Sequence, residues 1–394
     1  MISSVALGLV LVPVALAIYA YIVYPVIVAL VGRRRRIPEG DAGWPAGLPI
    51  VSVVIPAYNE ETQIRGAIEA ILSQDYPADR LQILILSDAS IDRTDSIVAS
   101  FASRGVELLR MPKRGGKTAA ENASCPLLRG SIIVNTDASI RLYPATVRKL
   151  VLAMADPEVG VASGRDVSVP PSEGSNATEG GYVGYEMRLR ALETRAGGIV
   201  GASGSGYAIR KSLHLIPVRD DLSRDFSAAL TAQRHGLRAV SVDDALCAVP
   251  RTGSLRREYK RKVRTICRGM ETLATNRSLL DPIVYGWFAW KLLSHKVCRW
   301  LLPPAAVLGV VGLVILAPHH VWAAAIVAAA AMVLLVALIG WFWPEGRDMP
   351  GPISVAAFGV AANVAVLHAG WRFARGHEDH IWEPTRRAAV AAHG

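Results

Sequence analysis

Long uncharged runs occupy both ends of this chain, and shorter alternating patterns occupy its middle. Residues 5–31 carry no charge and are enough to cross a bilayer. The run lacks a basic leader and is too long for a signal-peptide core, so it reads as a retained anchor. Residues 301–317 and 321–343 form two more uncharged runs, joined at Pro318-His319-His320. Between the ends, near-continuous Ile, Leu and Val over 50–55, 81–86 and 132–134 predict buried parallel strands. Helical periodicity lies between them. One helix is predicted over 60–74, stopping at Asp75-Tyr76-Pro77, and another runs from an Asp92 N-cap to 104. Others follow from Thr118 and over 143–155, with a short strand at 106–109. Strands alternating with helices in this order predict a doubly wound α/β sheet. The second half is less regular. Residues 197–206 hold five glycines and read as a loop where backbone comes close to something; 223–234 reads as a helix and 239–242 as a short strand.

Each apolar strand ends on polar residues. They are Pro56-Ala57-Tyr58-Asn59-Glu60, Ser87-Asp88-Ala89-Ser90 and Asn135-Thr136-Asp137-Ala138-Ser139. Ligands of open α/β sheets sit beyond the carboxyl ends of such strands. Acidic groups there suit a metal ion and the hydroxyls of a nucleotide.

Charge sets the orientation. Arg33, Arg34, Arg35 and Arg36 follow the first run, Lys296 and Arg299 precede the second, and Arg347 follows the third. Basic flanks stay on the cytoplasmic side, so the middle domain is expected in the cytoplasm at the inner (plasma) membrane. The net charge of +10 gathers beside the apolar runs and in one Arg/Lys helix. Without an aromatic-interleaved basic stripe, this excludes nucleic acid and favours anionic lipid and a diphosphate. Four cysteines, Cys125, Cys247, Cys267 and Cys298, are too far apart in sequence for a CxxC zinc site or a disulfide framework.

Taken in order, the motifs resemble those of the membrane-bound family 2 glycosyltransferases. These have a GT-A fold, and the group includes hyaluronan, chitin and cellulose synthases and bacterial N-acetylglucosaminyltransferases. Pro56, Tyr58 and Glu60 match the PxYNE opening, and Asp88 with Asp92 and Thr94 matches DxSxDxT. The resemblance implies that these hold the nucleobase and ribose; Asp92 suits helix capping equally well, while Asp88 suits the nucleotide better than a cap. Lys113-Arg114-Gly115-Gly116-Lys117 is similar to the lysine loop beside the nucleotide. Asp137 with Ser139 stands at the DxD position, which implies Mg²⁺ or Mn²⁺ on the donor diphosphate; Ser139 replaces the second acid. Asp225 matches the general base, preceded by Arg224 instead of an acid, and Gly204, Ser205, Gly206 and Tyr207 match the acceptor-side loop. Arg264 takes the arginine of QxxRW, with Arg261 and Thr265 in place of Gln and Trp, and Trp382 and Arg386 resemble a gating loop over the nucleotide.

The resemblance divides the chain as follows: 1–36, an anchor and its basic flank; 45–257, the GT-A domain; 258–300, amphipathic interface helices; 301–343, two spans; 353–371, an interface helix; and 372–394, a gating-like tail. It implies an inverting transferase. The donor is a nucleoside-diphosphate sugar, UDP-linked, and the acceptor is membrane-associated, such as a lipid-linked saccharide. Two rivals stay open. One is a processive exopolysaccharide synthase with a polysaccharide acceptor, working as an oligomer or with a partner channel. The other is an inactive nucleotide-sugar-binding scaffold.

Overall fold

The computed structural model describes residues 2–33, 44, 47–169, 177–250, 254–345 and 347–376. Its strands are β1 Val51–Ala57, β2 Leu81–Ser87, β3 Val106–Arg110, β4 Ile132–Thr136, β5 Arg141–Leu142, β6 Val159–Val169, β7 Gly206–Arg210 and β8 Arg238–Pro250. They form one sheet in the order β3-β2-β1-β4-β7-β6-β8-β5. The first four are mutually parallel. β7 then runs antiparallel to both β4 and β6.

Alternation along the strands decides which helix each side chain meets. Val51, Val53 and Ile55 of β1 pack with Ile64, Ile68 and Leu150, from the helices Ile64–Leu72 and Thr146–Ala153. Val54 points the other way, into a cluster with Leu84, Ile133 and Ala120 that also holds Ala228 and Ala232. Those alanines belong to the helices Lys117–Ser124 and Arg224–Arg234. The sheet is therefore covered on both faces, as the apolar runs predict.

The second half departs from the sequence reading. β6 and β7 are strands that its pattern does not reveal, and β8 is much longer than 239–242. The residues responsible are small. A Cβ on either Gly164 or Gly206 would come within 2.7 Å of Cys247 Sγ, so three strands approach closely without large apolar side chains to mark them. β8 also bulges. Gly164 pairs with Val242 and Arg165 with Leu246, which leaves Asp243 and Asp244 unpaired on the edge and breaks its apolar pattern.

Among the described residues, four helices are long and apolar enough to cross a membrane: Ser3–Gly32, Pro282–Leu316, Val321–Trp341 and Gly351–Ala374. The first two cross closely, because a Cβ on Gly312 would meet Ala6 O at 2.6 Å. Each of these two helices contains a π turn, Tyr19–Val23 and Leu293–Val297. The Tyr19 hydroxyl lies 2.7 Å from Ser294 Oγ and joins the turns. Residues 287–300, read from sequence as part of the interface helices, run on into the second apolar helix after a kink at Gly286 (φ +47°).

The last helix buries Ala357, Phe358 and Ala361 against Leu255 and Tyr259, and Ala365 and Ala369 against Val263 and Cys267. All four partners lie on Leu255–Thr275, which carries Arg256, Arg257, Lys260, Arg261, Lys262, Arg264 and Arg268.

Candidate active site

The loops after β1 and β2 are knitted together by their own motif residues. Asn59 Oδ1 accepts from the Ile91 N–H at 2.9 Å, and the Glu60 N–H donates to Thr94 Oγ1 at 2.8 Å. Asp92 accepts from the Glu61 N–H (3.0 Å), the Thr94 N–H (2.9 Å) and the Thr94 hydroxyl (2.6 Å). Burial pushes the Asp92 carboxyl up, and these donors outweigh it, so it lies below the usual range. Asp92 therefore joins the two loops while serving the helix that starts at Thr94.

Asp88 is buried. Its two oxygens accept from the Gly115 N–H (2.7 Å) and the Gly116 N–H (2.9 Å). Gly116 has φ +90°, a conformation that favours glycine. The carboxylate after β2 thus fixes the lysine loop, and Arg114 lies 3.8 Å over the ring of Tyr58. Pro56 and Asp88 are buried and, with Tyr58, stand outside the lining of the large cleft beside them.

That cleft has a volume of about 380 Å³ and gathers Glu60, Lys117, Asp137, Ser139, Asp225 and Arg264. Lys117 Nζ pairs with Asp137 Oδ1 at 2.5 Å. Burial acts to strip the Lys117 proton; Asp137, Glu121 and Asp225 together outweigh it and hold the ammonium above the ordinary lysine range. One cation therefore lies in the field of both the DxD-position aspartate and the candidate base.

The Ser223 hydroxyl donates to Asp225 Oδ1. A Cβ on Gly204 would stand 3.0 Å from Asp225 Oδ2, so glycine there lets the acceptor-side loop touch the carboxylate. Gly204 and Ser205 line the cleft. Gly206 and Tyr207 belong to β7 and are buried, outside the lining. Trp382 and Arg386 lie outside the described residues.

Arg224, which replaces the expected acid, has a buried counterpart. Its Nε lies 3.8 Å from Glu121 Oε2, and its guanidinium donates to His214 O at 2.7 Å and to Asn122 Oδ1. Burial raises the Glu121 carboxyl, against the pull of Lys117 and Arg224. The position before Asp225 thus holds a cation, with a carboxylate one helix away facing it.

Sequence reasoning missed Asp166, Arg190, Ser203 and Lys296, which also line the cleft. The Ser203 hydroxyl donates to the Asp166 carboxylate, with its Oγ 2.9 and 2.8 Å from the two oxygens. Arg190 donates to Ser163 Oγ (2.7 Å) and Gly201 O (3.1 Å). The available signal was a polar Arg165-Asp166 pair after Val159-Gly160-Val161-Ala162, hidden because that strand was not recognised.

The donor set of a metal fits one mode of binding. Among the described residues no cluster of three His, Cys, Asp or Glu could cage an ion. Asp137 and Ser139 instead offer one carboxylate and one hydroxyl at the cleft wall. This suits an ion whose remaining ligands are phosphate oxygens and water.

Residues 52–214 match the model of Glycosyl transferase family 2. An N-acetylglucosaminyltransferase of Bradyrhizobium elkanii is 33% identical over 127 residues, which are 31% of this chain and 68% of that protein. The chain belongs to glycosyl transferase family 2. A Bacillus subtilis protein named as a glycosyltransferase is 37% identical over 124 residues, and the chain spans only 30% of its length. Among solved structures, a mannosyltransferase from Pyrobaculum calidifontis, in complex with GDP-Man and Mn²⁺, superposes with a TM-score of 0.71 at 23% identity. That match covers 96% of this chain and 100% of the other, and establishes a shared GT-A fold for the sheet described above.

Proposed function

We propose that the protein is an inverting glycosyltransferase that moves one sugar, or a few, from a UDP-linked donor to a lipid-linked acceptor at the cytoplasmic face of the membrane. The observation that carries this reading is the shared cleft. Asp225 and Asp137 line one cavity with Arg264 and Lys117, and Lys117 feels both carboxylates.

In this reading the Asp225 carboxylate takes the proton of the acceptor hydroxyl as that oxygen attacks the anomeric carbon. The bond from that carbon to the diphosphate breaks on the opposite face, and the diphosphate leaves carrying the electron pair. Lys117 and Arg264 meet its charge. Asp137 and Ser139 would hold Mg²⁺ or Mn²⁺ together with the diphosphate, and the bound ion would add neutralisation of the leaving group. Gly204 and Ser205 bring backbone up to the acceptor sugar.

Thr265 stands where the processive synthases carry Trp, and it lines the cleft; transfer of a few sugars follows from that exchange. The last helix lies at the interface in this reading, because the helix along which it packs carries seven cations on its Leu255–Thr275 span.

Asp225→Asn in purified membranes tests the mechanism. Transfer should fall by about 10²–10⁴-fold while UDP affinity holds; full activity would overturn it. A screen of UDP- and GDP-linked donors, reading released nucleoside diphosphate, tests the donor, and release from GDP-sugars alone would overturn that assignment. A long polymer on a gel would overturn limited transfer.

A further inference from the structure

A second cavity, of about 320 Å³, adjoins the catalytic cleft. The two share Glu186 and Lys296 as a common wall. It opens between the basic helix Leu255–Thr275, the π turn Leu293–Val297 with the helix that follows, and the last helix Gly351–Ala374.

Its lining combines two chemistries. Lys262, Lys296 and Arg299 line it with two carboxylates, Glu186 and Glu258. Both carboxylates are already engaged. Glu186 meets Arg299 at 2.9 Å and His295 at 2.8 Å, and Glu258 meets Arg261 at 2.6 Å and Lys262 at 3.5 Å. Burial opposes ionisation of each, and these cations outweigh it, holding both carboxyls below the usual range. Lys296 differs from the other two cations. Its ammonium faces the Phe226 ring at 5.5 Å, and among the described residues no carboxylate lies within 4 Å of it. Phe226 follows Asp225 directly in sequence. Ile266, Pro303, Phe358 and Val366 add apolar wall, beside Asn363. Gly359 also lines it, and a Cβ there would have nothing within 4 Å.

A pocket lined by both cations and hydrocarbon recognises an amphiphile with an anionic head. We infer that this cavity seats the linking phosphate and first chain segment of the lipid-linked saccharide acceptor, whose sugar hydroxyl then lies in the adjoining cleft. Lys296 lies at the junction with the cleft, and the chain runs between Pro303 and Phe358 toward the membrane. The inference rests on the lipid-acceptor reading above and adds the place and the head-group chemistry. Cations facing a low-dielectric wall hold a phosphate more strongly than exposed cations do, and the shared wall delivers the head to the side of the cleft where Asp225 stands.

The test uses the full chain in phosphatidylcholine nanodiscs and an isoprenyl phosphate bearing a benzophenone on its chain. Photolabelling followed by peptide mapping should mark residues 358–366 or 300–303. Gly359→Leu fills open space without a clash and should reduce labelling about tenfold, with thermal unfolding and UDP binding unchanged as checks of the fold. Lys262→Gln is a second variant that leaves the apolar wall intact, and it should weaken labelling by the phosphate probe but not by the matching isoprenyl alcohol. Labels elsewhere, or labels indifferent to both variants in folded protein, would overturn the inference. So would equal labelling by the alcohol, or competition by inorganic phosphate as strong as that by unlabelled isoprenyl phosphate. Labelling reads binding alone. An active Asp225→Asn enzyme with intact labelling would remove the mechanism and leave this seat standing; the converse result would remove only the seat.

Discussion

The two halves of the central sheet reach the cleft by different physical means. In the half formed by β1 to β4, parallel strands of Ile, Leu and Val end together, and loop motifs sit at their carboxyl ends. Hydrogen bonds between loops hold that side, with Asp88 gripping the lysine loop and Asp92 joining its neighbours. In the half formed by β5 to β8, directions are mixed and contacts run through small residues. Asp225 there is positioned by close backbone approach, beside buried charges brought from distant segments. The β1–β4 side of the cleft is thus built from local motifs, and the β5–β8 side from tertiary packing.

This contrast can be broken most directly at Arg224. Arg224→Met would leave buried Glu121 with Lys117 as its remaining counter-charge, and should cost up to about 3–5 kcal/mol in thermal unfolding. The loss should shrink as pH falls, because a protonated Glu121 needs no counter-charge. Adding Glu121→Gln should restore part of it; a single variant as stable as the parent would mean that this side does not depend on the buried pair.

A smaller effect is expected at Gly204. Gly204→Ala puts a methyl group 3.0 Å from Asp225 Oδ2. Displacing the carboxylate by a few tenths of an ångström should lower the transfer rate, by less than the roughly 10²-fold that a full ångström costs. Donor KM should stay put, because the change lies on the acceptor side. A raised KM with an unchanged rate would erase the distinction between the halves.

Asp88→Asn probes the opposite half. The amide keeps one acceptor oxygen for two loop N–H groups, an unmade bond worth about 1–3 kcal/mol. Calorimetry with UDP should show weaker donor binding, with transfer at saturating donor much less affected.

The mildest test is His214. Its ring nitrogens have no hydrogen-bond partner among the described residues. Burial, with Arg224 adding to it, lowers its pKa from 6.5 to about 3. The folded protein resists protonation there, so this share of stability is complete above pH 6.5 and is lost progressively as pH falls toward 3. His214→Leu should flatten that part of the unfolding profile. An unchanged acid limb would show that other groups govern it.

How much was legible depended on how each feature is encoded. β1, β2 and β4 were readable because strands covered on both faces need unbroken apolar runs. Asp137 and Asp225 were readable because they sit in recognisable motifs at element ends. β6 was not, because Gly160 and Gly164 supply closeness in place of bulk, and Asp166 was lost with it. Gly206 and Tyr207 were read as loop because glycine-rich sequence signals a turn, while in the fold they begin a buried strand. Lys296 was legible only as a flank of a membrane segment, since nothing local relates it to Phe226, 70 positions earlier.

The sequence by itself determined the layered α/β domain, the apolar helices at both ends and the family, because these rest on periodicity, length and short motifs. Only the tertiary structure decided which charges meet. Lys117 between two aspartates, Arg224 against Glu121, and Lys296 at the wall between two cavities all join segments far apart in the chain. Electrostatic energy depends on distance in space and on burial, and neither is written in the order of residues.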